Sequence, residues 1–243
     1  MLRDSAFVIG RHIQAIDGPI GSVSDLLFDD TSWTIRWAVI DTGSWLTGRR
    51  VLLPPQKLSP APNDPDRFIV PLTCRQVKAS PSEDADLPVS RQHETQLFGY
   101  YQWDPYWLGG VPAFGGTLPM IPPMADDLKL ADGDEHLRST VRLKDYIVRA
   151  TDGEIGHVAD VLIDPERWSI PLLEIATRNW LPGRKVLLAP ALVEAIDWFE
   201  RAVSFRRTRA EIQASPEYDP STPIDRDRLR LLYGHYGLPT EWI

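Results

Sequence analysis

One cysteine, three methionines and a shortage of positive charge are what this chain of 243 residues most visibly has little of. Cys74 stands alone and can close no disulfide within the chain, so a reducing, cytoplasmic setting is expected. No run of about 20 apolar residues is present, which excludes a membrane-spanning helix from the expectation. The apolar start, Met1 to Gly10, is too short for a secretion signal. The 26 Lys and Arg against 34 Asp and Glu leave a net charge of −8, and a sequence-independent nucleic-acid binder would need a basic face instead. There is no phosphate-cradling glycine loop and no nucleophile elbow. His12, His93, His136, His157 and His235 make no pair at metal-ligand spacing, and Cys74 has no His or Asn near it in sequence. No metal, no cofactor and no catalytic residue is therefore expected, and the protein reads as a non-enzyme. Its 43% apolar and 25% charged residues are those of an ordinary globular protein.

What is there is a duplication. Displaced by 135 residues, the second half falls on the first without a gap. The run from Asp17 through Gly18, Ile20, Gly21 and Val23 to Asp25 lies over Asp152, Gly153, Ile155, Gly156, Val158 and Asp160. Trp45, Gly48, Arg49, Arg50 and Val51 lie over Trp180, Gly183, Arg184, Lys185 and Val186. Ser80-Pro81 lies over Ser215-Pro216, and Tyr101 and Trp107 over Tyr236 and Trp242. The period is that of a domain and not of a solenoid. The repeat also acts as a control: residues shared by both copies serve the shared fold, and residues that differ are not required by it.

Within each copy the pattern is of short strands broken by turns. His12 to Ile16 alternates, Asp17-Gly18 marks a hairpin, and Ile20 to Asp29 alternates again. Ile20 and Leu26 are expected on one face of that strand, Val23 and Leu27 on the other. Trp33 to Ile40 and Val51 to Leu53 follow as strands, and in the second copy Val193 to Trp198 and Ala202 to Phe205. Thr73 with Gln76, and Thr208 with Glu211, have the spacing of capping boxes, each opening a short helix that Ser80-Pro81 or Ser215-Pro216 stops. A second helix is expected from Ser90 to Gly99 and from Asp225 to Gly234, each followed by an aromatic tail. Leu108 to Met124 is rich in Gly and Pro, and Asp126 to Glu135 is acidic, so residues 108–139 read as a linker.

Apolar strands, then Asp-Gly-x-Ile-Gly-x-Val-x-Asp, then a β-rich strand and Arg-Val-Leu-Leu, resemble the PRC-barrel domain. That family takes its name from the cytoplasmic domain of the photosynthetic reaction centre H subunit, and a similar barrel ends a ribosome maturation factor. The resemblance implies a mainly β chain of two tandem small antiparallel barrels, residues 5–81 and 140–216. Each is followed by a helix and aromatic tail, 82–107 and 217–243, and the two copies are expected to form a pseudo-two-fold pair. It further implies an interaction or scaffolding module without chemistry of its own. Neither the membrane helix of the reaction-centre subunit nor the N-terminal domain of the maturation factor is expected from the residues read.

The candidate partner-binding residues fall in three groups. Trp45, Arg49 and Arg50, with Trp180, Arg184 and Lys185, set an aromatic beside cations at a loop. Arg201, Arg206, Arg207 and Arg209 form the one basic run, and their absence from the first copy makes them dispensable to the fold on this reading. Tyr100, Tyr101, Trp103 and Trp107 form the first aromatic tail, expected to be buried where the copies meet. Asp17, Asp25 and Asp29 and their counterparts read as turn and loop-end hydrogen-bonding residues and not as an acidic site. An unidentified protein partner is the expectation, with a further homo-oligomer open. The alternatives are an RNA-processing or ribosome-associated factor using the basic run, disfavoured by net charge, and a small-ligand protein or unrecognised enzyme.

Overall fold

The first half of the chain forms β1 (Arg3–Asp4), β2 (His12–Ala15), β3 (Gly18–Asp29), β4 (Thr34–Asp41), β5 (Arg50–Leu53), β6 (Ser59–Ala61) and β7 (Asp64–Ile69). Helices α1 (Cys74–Ala79) and α2 (Arg91–Tyr101) follow. The second half forms β8 (Leu137–Ser139), α3 (Thr140–Leu143), β9 (Ile147–Ala150), β10 (Gly153–Asp164), β11 (Ser169–Ala176), β12 (Lys185–Leu188), β13 (Val193–Asp197) and β14 (Ala202–Phe205). It ends in α4 (Arg209–Gln213) and α5 (Arg226–His235). The structure is a computed structural model that describes residues 1–46, 48–81, 91–103, 137–177, 184–216 and 218–240, with the backbone alone for Trp45, Arg91, Gln92 and His93. Both capping boxes are present, at Thr73 with Gln76 and at Thr208 with Glu211, and Asp225 caps α5 as its sequence position implies.

The protein is mainly β. Among the described residues its strands join one mixed sheet of 14, in the order β13-β14-β9-β10-β11-β4-β3-β2-β7-β6, with β12 beside β11, β5 beside β4, β1 on β10 and β8 on β3. The path is open, and it is not purely antiparallel as expected. β7 returns to lie parallel to β2, and β14 parallel to β9, because the hairpin that follows β5 or β12 crosses back to the first strand of its own half.

Strict alternation fails in β3 for a physical reason. A register shift between Val23 and Asp25 turns the following residues over. Ile20, Val23, Leu26 and Phe28 are all buried, while Leu27 is half-buried. The same shift recurs in β10 between Val158 and Asp160. Gly21 and Gly156 sit beside these bulges, where β3 and β10 press on the end of the next strand. A Cβ at Gly21 would lie 2.0 Å from the Asp41 carbonyl oxygen, and one at Gly156 1.9 Å from that of Ala176. The second glycine of each Asp-Gly-x-Ile-Gly run thus answers to a close backbone approach.

The aspartate of the run has a task beyond its turn. Asp17 accepts a hydrogen bond from the Cys74 backbone N–H at 2.6 Å, and Asp152 from that of Arg209 at 2.8 Å, so each tight turn holds the first residue of α1 or α4. The bond to Cys74 is the main reason the Asp17 carboxyl lies below the usual range. Asp29 and Asp164 accept from backbone N–H groups two and three residues on, closing the turn into the next strand.

The halves are joined by exchanged strands. β1 pairs with β10, Arg3 opposite Ile163 and Asp4 opposite Leu162. β8, which the sequence reading assigns to the linker, pairs with β3, Arg138 opposite Phe28 and Ser139 opposite Leu27. Displaced by 135 residues, either set of pairs becomes the other. Between them Thr34 of β4 meets Ser169 of β11. There Ile35 N–H donates to the Trp168 carbonyl at 2.7 Å, and Ile170 N–H to the Trp33 carbonyl at 2.8 Å. Asp25 fastens the arriving segment by accepting from Thr140 Oγ1 and Val141 N–H, both at 3.2 Å, and from Ser139. Lys144 does the matching work on the other side, 3.1 Å from Asp160 and 2.9 Å from Ser5 Oγ.

Candidate functional site

A groove of about 570 Å³ opens where the two halves meet. One wall is the β3–β4 turn, with Asp30, Ser32 and Trp33; the other is Pro171 of β11, the β13 strand with Glu194 and Ile196, then Trp198, Arg206 and Tyr233. The size lies within the ordinary range for binding pockets, ~300–1,000 Å³. Its walls are held in place by the exchanged strand β8. Arg138 of that strand is 3.1 Å from the Asp30 carboxylate and lies 4.5 Å over the Trp198 ring, so one guanidinium links both sides. Tyr146 packs edge-on to Trp198, ring centroids 5.7 Å apart. Trp33 is stacked on Phe28 at 5.1 Å. Tyr233 donates to the Pro171 carbonyl at 3.0 Å, and burial pushes its phenol above the usual range. Arg206 donates to the Val193 carbonyl at 3.0 Å and lines the groove. The groove is therefore an aromatic and proline-walled slot with an arginine and two carboxylates along it. Beside it, at the tip of the β13–β14 hairpin, Phe199 is 93% exposed.

Of the candidate partner-binding residues that the structure describes, Arg206 alone lines this groove. Arg49 donates to the carbonyls of Lys78, at 2.8 Å, and Ser80; Arg184 donates to those of Gln213, at 3.4 Å, and Ser215, at 3.0 Å. Both tie the loop after β4 or β11 to the end of α1 or α4, a structural duty that explains why the repeat keeps them. Lys185 is 2.6 Å from Glu174, which also accepts from the Tyr218 hydroxyl at 2.9 Å, and Arg50 is exposed on β5. Trp45 lies in a backbone turn, Gly43–Leu46, its side chain outside the described set; Trp107, Trp180 and Trp242 also fall outside the described residues.

The members of the basic run have separate partners. Arg207 donates to the Tyr236 carbonyl at 2.7 Å, Arg209 to that of Glu154 at 2.7 Å, and Arg201 holds the hairpin tip with φ 52°. Arg207 and Arg209 thus have hydrogen-bond partners within the fold. The described part of the tails also departs from expectation. Tyr100 donates to the Gln76 carbonyl at 2.8 Å, and Tyr101 is buried and stacked on Trp103 at 4.3 Å. Tyr101 and Tyr236 are each pushed up to about 12 by burial, with Ser80 and Arg49 or Ser215 and Arg184 as neighbours. The described tail residues Tyr100 and Tyr236 bond within their own half, Tyr100 to the Gln76 carbonyl of α1 and Tyr236 to the Leu187 carbonyl of β12.

Cys74 is half-buried, and burial, then Asp17, raises its thiol, the opposite of what a nucleophile needs. Among the described residues no three His, Cys, Asp and Glu side chains gather as a metal site, and no helix is long and apolar enough to cross a membrane.

No protein-family model matches this chain, and no curated protein matches it. Trp198, Arg206 and Glu194 occupy positions that hold Asn63, Pro71 and Ser59 in the first copy. The signal that marks the groove in the sequence is this set of differences between copies, and Trp33, Trp198 and Tyr233 escape a reading that looks for loops and charge runs.

Proposed function

We propose that this protein is a non-enzymatic cytoplasmic interaction module: two PRC-like barrels, related as a pseudo-two-fold pair, that present the groove at their junction to a partner polypeptide. The observation that carries the reading is the groove itself, in which Trp33, Trp198 and Tyr233 converge with Arg206. Tyr, Trp and Arg in a partly desolvated pocket are the residue types that dominate binding energy between proteins. The reciprocal exchange of β1 and β8 and the Thr34–Ser169 contact support the paired arrangement, since a patch that meets its own copy must pair reciprocally. The return of β7 to β2, and of β14 to β9, supports a curled, barrel-like half. The RNA-binding alternative loses ground because Arg206, Arg207 and Arg209 donate to backbone carbonyls of the protein.

The test is co-purification from the native cell with the wild-type chain and a folded Trp198→Ala/Arg206→Ala variant. The reading expects a protein retained by the wild type to be lost from the variant. Identical sets of retained proteins would overturn it.

A further inference from the structure

The second half carries a smaller pocket, about 130 Å³, between α5 and the β11–β12 pair. Leu172, Leu187, Ile224, Leu232, Tyr218 and Arg228 line it. The Arg228 Nη1 atom is buried and has no hydrogen-bond partner. Hydrogen bonds from Ser221 hold the nearby Asp219 carboxyl below the usual range, with Arg228 adding less, and Asp219 leaves Nη1 unbonded. The Tyr218 hydroxyl is committed to Glu174. A guanidinium N–H kept from water without an acceptor is unfavourable, and an acceptor reaching this atom would relieve that cost.

The first half shows what that acceptor resembles. Position 172 corresponds to Trp37, position 229 to Glu94 and position 228 to His93. Trp37 and Glu94 are both fully buried, and the indole N–H donates to the carboxylate at 2.6 Å. There an aromatic ring and a carboxylate lie together between the sheet and α2. In the second half both are leucine, Leu172 and Leu229, and a cation stands one residue before Leu229. Ring and carboxylate are gone, while a group that pairs with a carboxylate has been added.

We propose that this pocket binds a small apolar monocarboxylate, its carboxylate accepting from Arg228 Nη1 and its body against Leu172 and Leu232. The volume suits one ring, since an apolar cavity of about 150 Å³ takes up benzene. This inference stands apart from the junction groove and does not depend on a protein partner.

Benzoate is the probe, titrated by calorimetry into the full chain, with benzyl alcohol as its uncharged counterpart. Benzoate is expected to bind and to raise the melting temperature. Benzyl alcohol should bind at least about tenfold more weakly, the loss of one charge-assisted hydrogen bond. Arg228→Gln should remove the preference for benzoate, and Leu172→Trp should block both compounds by restoring the ring of the first half. The Gln variant decides the matter if the Trp variant fails to fold. No binding of benzoate at millimolar concentration, equal binding of the alcohol, or undiminished binding by Arg228→Gln would each overturn the proposal.

Discussion

Gly21→Ala tests the link between the repeated motif and the fold. The added methyl would stand 2.0 Å from the Asp41 carbonyl oxygen and 2.9 Å from Thr42 Cα. A carbon and a carbonyl oxygen tolerate about 3.3 Å, so the end of β4 must retreat by more than about 1 Å. That movement breaks the pairing of Ser22 with Asp41 and strains that of Val23 with Ile40. Overpacking costs about 1–3 kcal/mol and the lost hydrogen bond about 1 kcal/mol, which together make about 2–4 kcal/mol. Gly156→Ala should cost the same, its methyl being 1.9 Å from the Ala176 oxygen. Gly99 and Gly234 supply the control: both are helical and have nothing within 4 Å of an added Cβ. Alanine there should stabilise by about 0.5–1 kcal/mol. Urea denaturation of the four variants, with unchanged m-values, measures all of this. A cost below about 1 kcal/mol at Gly21, or an equal cost at Gly99, would refute the close-approach argument.

The buried Trp37–Glu94 pair should show a coupling of about 1–3 kcal/mol in a cycle of Trp37→Leu, Glu94→Leu and the double variant, because either single change strands a buried polar group. Additive losses would contradict that. The Asp17 carboxyl is depressed in the folded state, so its contribution is present above the ordinary carboxylate range near pH 4 and is lost as pH falls below it. The stability gap between the wild type and Asp17→Asn should therefore be widest at neutral pH and close on acidification. A gap that is constant from pH 7 to pH 2 would remove the cap to Cys74 from the account. Arg184→Ala should lower stability by roughly 1–3 kcal/mol through loss of its bonds to the Gln213 and Ser215 carbonyls, measured by the same denaturation. An unchanged midpoint would return Arg184 to the surface.

Much of the local structure is legible in the chain because it depends on local chemistry. The capping boxes at Thr73 and Thr208 and the turn at Asp17-Gly18 need only residues close in sequence. The bulges of β3 are not legible in local alternation: a shift against β2 at Pro19–Gly21 and one against β4 between Val23 and Asp25 bring Val23 onto the buried side with Ile20 and Leu26. The strand exchange is hidden for another reason. Leu137 to Ser139 has no pattern of its own and becomes β8 only when Phe28 and Asp25 are there to receive it. Arg49 and Arg184 look like recognition residues because they are cations beside a tryptophan, yet their partners are carbonyls about thirty residues away that no local pattern reveals. The groove depends on long-range assembly in the same way, and Arg206 is where the two readings meet.

The most direct measurement of the central proposal is site-specific photo-crosslinking in the native cell. A photoreactive residue at Ala195, on the groove wall, is compared with one at exposed Glu154, which lies outside the groove. The account predicts one discrete protein adduct from position 195, weakened by Trp198→Ala, and none of that mass from position 154. The same adducts from both positions, or none from position 195, would contradict it.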